Sequence, residues 1–386
     1  MRRVLRIVTR LNVGGPSRQV LPLTRVLQER GWDCVLAAGT GPVWEGAAKD
    51  MADAESIQVR SVVPLVAHPA PVKDVRAVKA LRRLMEEVRP DVVHTHTAKA
   101  GELGWRALMG LPRPRPKLVH TFHGTSWQGR LGRVGGAWLR RLERRRRLGT
   151  DAIVAVSEAV AVQVEQAGIA RAGQVHVHPP GLRLDHFAMS ASCADAGRQL
   201  LGRAGLLQGP VVVGGGRLVG VKDPLLFVDA AALLGDTGAV FAWMGDGPLR
   251  AAVLHRARRL GLGPERFAVL GWVDRPETVM CASDTLLVTS RSEGWPLLVI
   301  EARRTGLSVV GTPVGGMHEA LEGRGGWVAP SRRAGDLARL VRCALFERPA
   351  REERGRFGLR QSFVHSPDLL ADRTEGLYEM LLEGVA

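Results

Sequence analysis

The 386-residue sequence is poor in aromatic side chains, with one tyrosine and eight phenylalanines. Proteins that bind single-stranded nucleic acid stack the bases on aromatic side chains inside a basic groove. No such aromatic platform lies among the arginines of this chain. Nucleic acid is therefore not an expected partner, although the formal net charge is +16.

Cysteine is also scarce. The four cysteines (Cys34, Cys193, Cys281 and Cys343) lie far apart, and no C-x-x-C pair occurs. This spacing argues against a disulfide framework and against a zinc site. It fits a reducing compartment, so we expect a cytoplasmic protein.

Long apolar runs are missing as well. No stretch reaches the ~18 apolar residues that indicate a membrane-spanning helix. The N-terminal segment is basic and then briefly apolar. It is too short and too charged for a signal peptide, and it predicts a first strand over residues 5–9.

The basic residues are unevenly placed. Residues 1–190 hold 30 of the 54 Lys and Arg residues and 16 of the 38 Asp and Glu residues, a balance of +14, which leaves +2 for the remainder. A field of this sign attracts anionic partners such as a membrane surface, a phosphorylated acceptor or nucleic acid.

The most basic segment, residues 133–148, has helical spacing, with Val134, Trp138 and Leu142 on one face. Such a helix can lie peripherally on the anionic inner face of a cell membrane, and the alternative is a solvated face with extended arginines. The arginines of this predicted membrane surface are Arg140, Arg141, Arg144, Arg145, Arg146 and Arg147.

The order of predicted elements is typical of two doubly wound α/β domains. A strand, a glycine-rich turn containing Gly14 and Gly15, a helix and a second strand open the first domain. The turn does not read G-x-G-x-x-G. Nucleotide binding and a plain tight turn therefore both remain open for these two glycines.

Several histidines follow or end predicted strands. His94 and His96 alternate in the strand over residues 91–96 and resemble a metal pair, but no third ligand is evident and no metal is expected. His123 follows the next strand, and ligands of open α/β sheets lie at such carboxyl ends. His123 is therefore a candidate site residue, with a structural role as the alternative.

The most informative stretch covers residues 292–301, after a predicted strand over residues 285–290. Proline is favoured at the start of a helix, so Pro296 predicts a loop followed by a helix. Free backbone N–H groups and the helix dipole then favour an anion such as phosphate. Glu293 and Glu301 would stand on either side of that anion. A nucleotide sugar, with phosphates between two hydroxyl-bearing groups, is such a ligand.

The second domain opens with a strand over residues 210–214 and a glycine-rich turn. Arg217 and Lys222 lie in this turn, five residues apart, before the next predicted helix. A guanidinium fork and an ammonium group at this spacing can hold a diphosphate.

These motifs, in this order, resemble the family-four retaining glycosyltransferases of the GT-B fold, and the resemblance covers nearly the whole chain. It is strongest to bacterial members that build polysaccharides, glycolipids and secondary metabolites. The motifs are Gly216-Arg217-Leu218 with Lys222, Gly245-Asp-Gly-Pro, Gly271-Trp-Val, Glu293-x7-Glu301, Gly315-Gly-x-x-Glu319, and His120-Thr-Phe-His-Gly124 in the first half.

The resemblance implies an α/β architecture of two Rossmann-like, doubly wound domains that face each other across a cleft. We expect an acceptor-binding domain over residues 1–185, a linker over 186–203 and a nucleotide-sugar-binding domain over 204–365. A C-terminal helix over residues 366–386 is expected to cross back to the first domain.

The resemblance also implies roles for the site residues. Arg217 and Lys222 would neutralise the diphosphate leaving group, Glu301 would hold the ribose hydroxyls, and Glu293 would hold the sugar hydroxyls. The other implied ligands are Gly294, Trp295, Pro296 and Leu297 at the sugar, Gly245, Asp246 and Val273 at the base, Gly14 and Gly15 at the phosphates, and His123 at the transferred sugar.

Transfer in this family is thought to proceed by front-face attack, so no protein nucleophile is assigned. The chain contains no Asp-x-Asp, the usual metal site of the other major glycosyltransferase fold, and we expect neither a metal nor another cofactor. The expected donor is a UDP-sugar, such as UDP-GlcNAc or UDP-glucose. The expected acceptor is a hydroxyl of an anionic, lipid-linked or small molecule.

The chain departs from the family pattern at a few positions. Pro180 and Arg183 replace an Asn and an acid near the linker, and Arg303 and Arg304 replace small or apolar residues. None of these changes removes a donor ligand. They leave open a nucleotide-sugar-binding or scaffold protein without turnover. A nucleic-acid-binding protein is the third hypothesis.

Overall fold

The computed structural model describes residues 2–12, 14–40, 52–53, 55–125, 132–206, 208–321 and 324–384, with the backbone alone for residues 132–134. The chain forms two compact units. The first combines Met1–Arg183 with His365–Ala386, and the second is Leu184–Val364.

The described part of the first unit contains a parallel seven-stranded sheet in the order β3-β2-β1-β4-β5-β6-β7. This order reverses direction between β1 and β4, as in a doubly wound fold. The strands are β1 (Arg3–Val8), β2 (Asp33–Ala38), β3 (Val59–Ser61), β4 (Val92–His96), β5 (Lys117–Phe122), β6 (Ala152–Ala155) and β7 (Val175–Val177).

Helices connect these strands and cover both faces of the sheet. Alternate residues of β1 serve the two faces, because Val4 belongs to one apolar cluster while Leu5 and Ile7 belong to another. The helices are α1 (Gly15–Glu29), α2 (Pro71–Val88), α3 (Ala98–Met109), α4 (Gly132–Arg146) and α5 (Glu158–Gln166).

The second unit repeats this architecture with a parallel six-stranded sheet in the order β10-β9-β8-β11-β12-β13. Its switch point lies between β8 and β11. The strands are β8 (Val211–Gly215), β9 (Val240–Met244), β10 (Phe267–Gly271), β11 (Thr285–Val288), β12 (Ser308–Gly311) and β13 (Trp327–Val328). The doubly wound α/β expectation is confirmed for both units.

The strands of the second unit are mostly apolar because helices cover both of their faces. Val212, Phe241, Leu287 and Val310 are buried in one apolar cluster with these helices. The helices are α6 (Ala191–Arg203), α7 (Pro224–Ala232), α8 (Arg250–Arg259), α9 (Pro276–Cys281), α10 (Leu297–Arg304), α11 (Met317–Leu321), α12 (Ala334–Phe346) and α13 (Arg348–Ser362).

The last helix, α14 (Pro367–Glu383), belongs to the first unit and packs against α1. Ser366 caps it by accepting a hydrogen bond from the Leu369 amide at 3.1 Å. Trp32 donates from Nε1 to Glu375 at 2.8 Å and makes an edge contact with Tyr378, with ring centroids 5.4 Å apart.

The segment over residues 186–203, predicted as a linker, is instead an integral part of the second unit. It contains α6, whose first turn is capped by the Ser190 hydroxyl accepting from the Cys193 amide. Helix α6 lies so close to α9 that a Cβ on Gly197 would come within 2.0 Å of the Thr278 carbonyl oxygen. Local sequence propensity does not reveal that two helices pack tightly at a glycine. The segment was therefore predicted to be a linker rather than part of the second unit.

The basic helix α4 corrects one prediction about the membrane surface. Arg146 is only 5% exposed and pairs with the buried Glu143 one turn before it, so it cannot contact a membrane. Burial lowers the pKa of Arg146 to about 10, and Glu102 opposes that shift. Trp138, by contrast, is 56% exposed, and Leu142 on the same predicted face is half-buried. The Val134 side chain lies outside the described residues.

Within the described residues, no helix is both long and apolar enough to cross a membrane.

Candidate active site

The switch point of the second sheet brings two loops together. One follows β8 and carries Lys222, and the other follows β11 and carries Glu293. Thr289 joins them by donating its hydroxyl to the carbonyl oxygens of Lys222 and Asp223, at 3.1 and 3.0 Å. Ligands of doubly wound sheets bind at such carboxyl ends, so this is the expected position for a site.

Lys222 and Glu293 are in direct contact there. The Lys222 ammonium donates to Glu293 Oε1 at 2.5 Å, and the Ser290 hydroxyl donates to the same oxygen at 2.6 Å. The Lys222 side chain is 30% exposed and that of Glu293 is 10% exposed. A cation and a carboxylate therefore meet at the surface of the site, where an incoming anion can compete for the ammonium group.

Glycines let the loops of this site approach each other closely. Gly216 has φ +116°, and the aliphatic stem of Lys222 passes over it. A Cβ on Gly245 would lie 2.3 Å from the Gly216 carbonyl oxygen, and one on Gly315 would lie 1.6 Å from that of Glu293. Both positions also have positive φ, so only glycine fits without strain.

The predicted base-binding residues lie beside this loop. Gly245 donates to the Gly271 carbonyl at 2.6 Å, and Asp246 accepts from the Leu218 amide through its own carbonyl at 2.9 Å. The Asp246 carboxylate binds Arg250 at 3.0 Å. Val273 is half-buried after β10. Arg217 is half-buried in the same loop as Lys222.

The predicted helix over residues 296–306 is observed as α10. Pro296 occupies the cap position with extended backbone, Leu297 is the first helical residue, and the Val299 amide donates to the Pro296 carbonyl at 2.9 Å. Gly294 is buried and Trp295 is half-buried just before this cap.

Glu301 lies on α10 and is 1% exposed. Burial of a carboxylate requires hydrogen-bonding partners, which makes this residue unlike an ordinary surface glutamate.

In the first unit, the predicted residues lie at the carboxyl end of its sheet. Gly14 caps α1 with extended backbone, and Gly15 is the first residue of that helix. A Cβ on Gly14 would lie 2.9 Å from Asn12 Oδ1, so the turn is tight. His123 follows β5 directly and is half-buried.

His123 contacts a pair of buried histidines, His94 and His96, rather than standing alone. Its Nε2 lies 3.2 Å from His96 Nδ1, and His96 stacks on His94 with ring centroids 4.3 Å apart. His94 binds Tyr378 and Thr121 at 2.5 and 2.7 Å. Across the described residues, no group of three or more His, Cys, Asp or Glu side chains is arranged to hold a metal ion.

Burial is the main cause of the low proton affinity of these rings. It lowers the pKa of His123 to about 4, and the positive charge of Arg6 acts in the same direction. Burial also moves the pKa values of His94 and His96 well below the ordinary value, with Arg6 contributing to both shifts. The three rings are therefore neutral near pH 7.

Sequence reasoning missed two parts of these sites. Ser290 shares the Glu293 oxygen with Lys222, and nothing in its local sequence marks this role. Arg6 is buried beside His96, and the sequence shows it as a charged residue between the apolar Leu5 and Ile7 of a predicted strand.

Two family models match the chain, one in each half. Residues 13–186 match the model of Glycosyltransferase Family 4, and residues 209–346 match the model of Glycosyl transferases group 1. Together the two matches cover most of both units.

Two curated relatives illustrate the sequence similarity. The UDP-Gal:alpha-D-GlcNAc-diphosphoundecaprenol alpha-1,3-galactosyltransferase of Escherichia coli is 27% identical over 271 residues, which cover 68% of each chain. A D-inositol 3-phosphate glycosyltransferase of Jonesia denitrificans is 29% identical over 296 residues, which cover 68% of this chain and 65% of the relative. The similarity thus spans about two thirds of these proteins.

Among solved structures, the Anabaena protein HepE in complex with UDP and glucose has a TM-score of 0.83 and 20% sequence identity, with 99% of both chains covered. This likeness concerns the fold. With two doubly wound units and both halves matched by glycosyltransferase models, the chain belongs to glycosyltransferase family 4 and has the GT-B fold.

Proposed function

We propose that the protein transfers a hexose or N-acetylhexosamine from a UDP-sugar, with retention of configuration, to a hydroxyl of an anionic or lipid-linked acceptor. The observation that carries the proposal is the contact between Lys222 and Glu293 at the switch point of the second sheet. It places a cation for phosphate beside a carboxylate for sugar hydroxyls.

We assign a role to each residue that is predicted to bind the sugar donor. Lys222 leaves Glu293 in part and binds the diphosphate, which Arg217 in the same loop also neutralises. Glu293 accepts hydrogen bonds from the sugar hydroxyls, and the backbone over residues 294–297 completes that end. Glu301 holds the ribose hydroxyls, while Gly245, Asp246 and Val273 surround the base.

The first unit supplies the remaining contacts. The turn with Gly14 and Gly15 admits the phosphates, and His123 binds the transferred sugar. For the chemical step we propose front-face attack, in which the leaving phosphate helps to take the acceptor proton. The reaction then needs neither a protein nucleophile nor a metal, and Arg217 and Lys222 stabilise the charge that develops on the diphosphate.

The relatives support the choice of ligands. The Escherichia coli relative is named for a UDP-sugar donor and a diphosphoundecaprenol acceptor, and the Jonesia denitrificans relative is named for an inositol phosphate acceptor. The HepE structure holds UDP and glucose. An anionic acceptor also suits the excess positive charge of residues 1–190.

A donor screen by thermal shift tests the proposal. We expect UDP-glucose, UDP-GlcNAc or another UDP-sugar to raise the melting temperature by several degrees, because a ligand that binds only the folded protein stabilises it. GDP-mannose and ADP-glucose serve as the comparison. Glu301→Gln, which keeps the shape of the side chain and removes its charge, should lose most of the shift.

Release of the nucleoside diphosphate distinguishes a glycosyltransferase from a protein that binds nucleotide sugars without turnover. A glycosyltransferase releases it faster when an acceptor is added, whereas a binding or scaffold protein shows the thermal shift without release. If no nucleotide sugar changes the melting temperature, the donor assignment is wrong.

We also propose that α4 contacts an anionic membrane surface. Trp138 is 56% exposed, and Leu148 beyond the helix is 79% exposed. Arg141 and Arg145 follow Trp138 on the same helical face and are exposed. An exposed tryptophan among arginines is typical of helices that lie in a membrane interface.

Sedimentation with vesicles tests this contact. We expect the protein to sediment with phosphatidylglycerol vesicles, and a variant with Trp138, Arg141 and Arg145 changed to alanine to bind at least about 10-fold more weakly, since each basic residue adds about 1 kcal/mol at such a surface. Changing the exposed Arg258 and Arg259 of α8 to alanine removes the same charge elsewhere and is the control. Equal losses in both variants would refute a specific surface.

A further inference from the structure

Arg6 is a guanidinium group in the interior of the first unit. The residue is 0% exposed, in the middle of β1, on the face covered by α1 and α14. Burial lowers the pKa of Arg6, and the nearby Tyr378 and Cys34 oppose that shift. Among the described residues, no carboxylate forms an ion pair with Arg6. Burial of a cation without a carboxylate partner lowers the stability of the folded protein. A role in stability alone therefore does not explain this arginine.

The hydrogen bonds of Arg6 have a fixed direction. One terminal nitrogen donates to the Thr24 hydroxyl at 3.0 Å, and that hydroxyl donates to the Val20 carbonyl at 2.6 Å. The other terminal nitrogen lies 3.2 Å from His96 Nε2. A guanidinium group can only donate, so His96 Nε2 must accept and carries no proton.

The hydrogen bond from Arg6 to His96 Nε2 determines the direction of the hydrogen bond between His96 and His123. A neutral imidazole with an unprotonated Nε2 carries its proton on Nδ1. His96 Nδ1 lies 3.2 Å from His123 Nε2, so His96 donates and His123 Nε2 accepts. The proton of the neutral His123 ring is then also on Nδ1.

His123 Nδ1 is the last group in this series of hydrogen bonds, which runs from Arg6 through His96 to His123. It is buried, and it has no hydrogen-bond partner among the described residues. A buried N–H group without a partner is rare in native structures and calls for an explanation. It would be satisfied by an acceptor oxygen of a bound ligand at the carboxyl end of β5.

We propose that Arg6 sets the tautomers of His96 and His123, so that His123 presents its Nδ1–H to an acceptor oxygen of the ligand, such as a hydroxyl of the transferred sugar. Arg6 and His96 are positioning residues in this scheme, and His123 makes the contact. The identity of the ligand rests on the proposed function, whereas the tautomers do not.

The tautomers can be measured without any substrate. Long-range proton–nitrogen spectra of protein labelled with ¹⁵N in histidine distinguish protonated from unprotonated ring nitrogens, and a His123→Gln variant identifies the His123 signals. We expect Nδ1 protonated and Nε2 unprotonated in both His96 and His123. A His123 ring protonated on Nε2 would overturn the proposal.

Variants then test the dependence on Arg6. Arg6→Met should give a mixture of His123 tautomers, whereas Arg6→Lys, which can also only donate, should retain the Nδ1–H form. Tyr378→Phe removes a buried hydrogen bond to His94 on the same face and should leave the His123 signals unchanged. If Arg6→Met does not fold, His96→Leu and His96→Gln provide the same comparison, because an amide can both accept from Arg6 and donate to His123.

Kinetics connect the tautomer to the ligand. We expect Arg6→Met to lower kcat by about 10-fold, the value of one lost hydrogen bond, with a smaller change in KM, and Arg6→Lys to restore most of it. Altered tautomers with unchanged turnover would refute the ligand contact. Absence of any glycosyl transfer would refute the proposed function but leave the tautomer measurement intact. An unchanged His123 tautomer in Arg6→Met would refute the role of Arg6.

Discussion

Replacement of Lys222 by alanine is expected to lower kcat/KM for glycosyl transfer by about 100- to 1,000-fold, the usual cost of removing a group that stabilises charge in a transition state. The diphosphate gains negative charge as the glycosidic bond breaks, and Lys222 is the ammonium group at the switch point. Without it, the Glu293 carboxylate would repel the leaving group.

The variant also removes the cation that pairs with Glu293, so its folding needs a control. Arg291→Ala removes a neighbouring cation that binds Asp223 at 2.9 Å and is 60% exposed. We expect that control to retain turnover within about threefold, because Arg291 is largely exposed and Arg332 still pairs with Asp223. Donor titration and steady-state kinetics measure both variants. Full activity in Lys222→Ala would remove this lysine from the site.

The second large effect is loss of stability in acid. Five histidines of the first unit, His94, His96, His120, His123 and His178, have pKa values lowered mainly by burial. They stay neutral in the folded protein, while the unfolded chain binds protons below about pH 6.5. The unfolded state therefore takes up more protons, and stability falls as the pH drops from 6.5 towards 4.

The size of the effect follows from the shifts. A pKa lowered from 6.5 to about 4, as for His123 and His178, corresponds to roughly 3 kcal/mol for each group at the acid end. This is a large part of the stability of an ordinary domain. We therefore expect the first unit to unfold well above pH 4, as measured by urea unfolding at a series of pH values.

His178→Gln provides the matched comparison. The ring is 7% exposed, and its replacement removes one proton-binding group. The slope of the unfolding free energy between pH 4 and 6.5 should fall by about 1.4 kcal/mol per pH unit, the value for one proton. A wild-type protein whose stability is constant over this range would contradict the buried, neutral state of these histidines.

The partners of Arg303 could not be predicted from the local sequence. Arg303 departs from the family pattern, and nothing near it suggests a partner. In the structure it is buried, and it donates to the carbonyl oxygens of Gly358 on α13 and Ala320 on α11. Local sequence patterns do not predict α13, because its 15 residues are mostly polar and lack a clear apolar face.

Near the linker, Pro180 and Arg183 also have structural explanations. The Pro180 carbonyl lies 2.9 Å from His365 Nδ1, and Arg183 binds Glu55 through two hydrogen bonds at 3.1 and 3.0 Å. Both partners are distant in sequence. The departures therefore reflect contacts within the first unit.

The sequence by itself determined where most strands lie and which loops carry the candidate residues. Buried parallel strands read as short valine- and leucine-rich runs, and glycine and proline mark their ends. These are local properties, so the sequence predicts both the loop that carries Lys222 and the loop that carries Glu293.

Only the tertiary structure decided which side chains meet. Lys222 contacts Glu293 across 71 residues, and Arg6 contacts His96 across 90, because adjacent strands at each switch point are distant in the chain. It also turned Trp138 outward and buried Arg146, since helical spacing defines a face but not the direction in which that face packs.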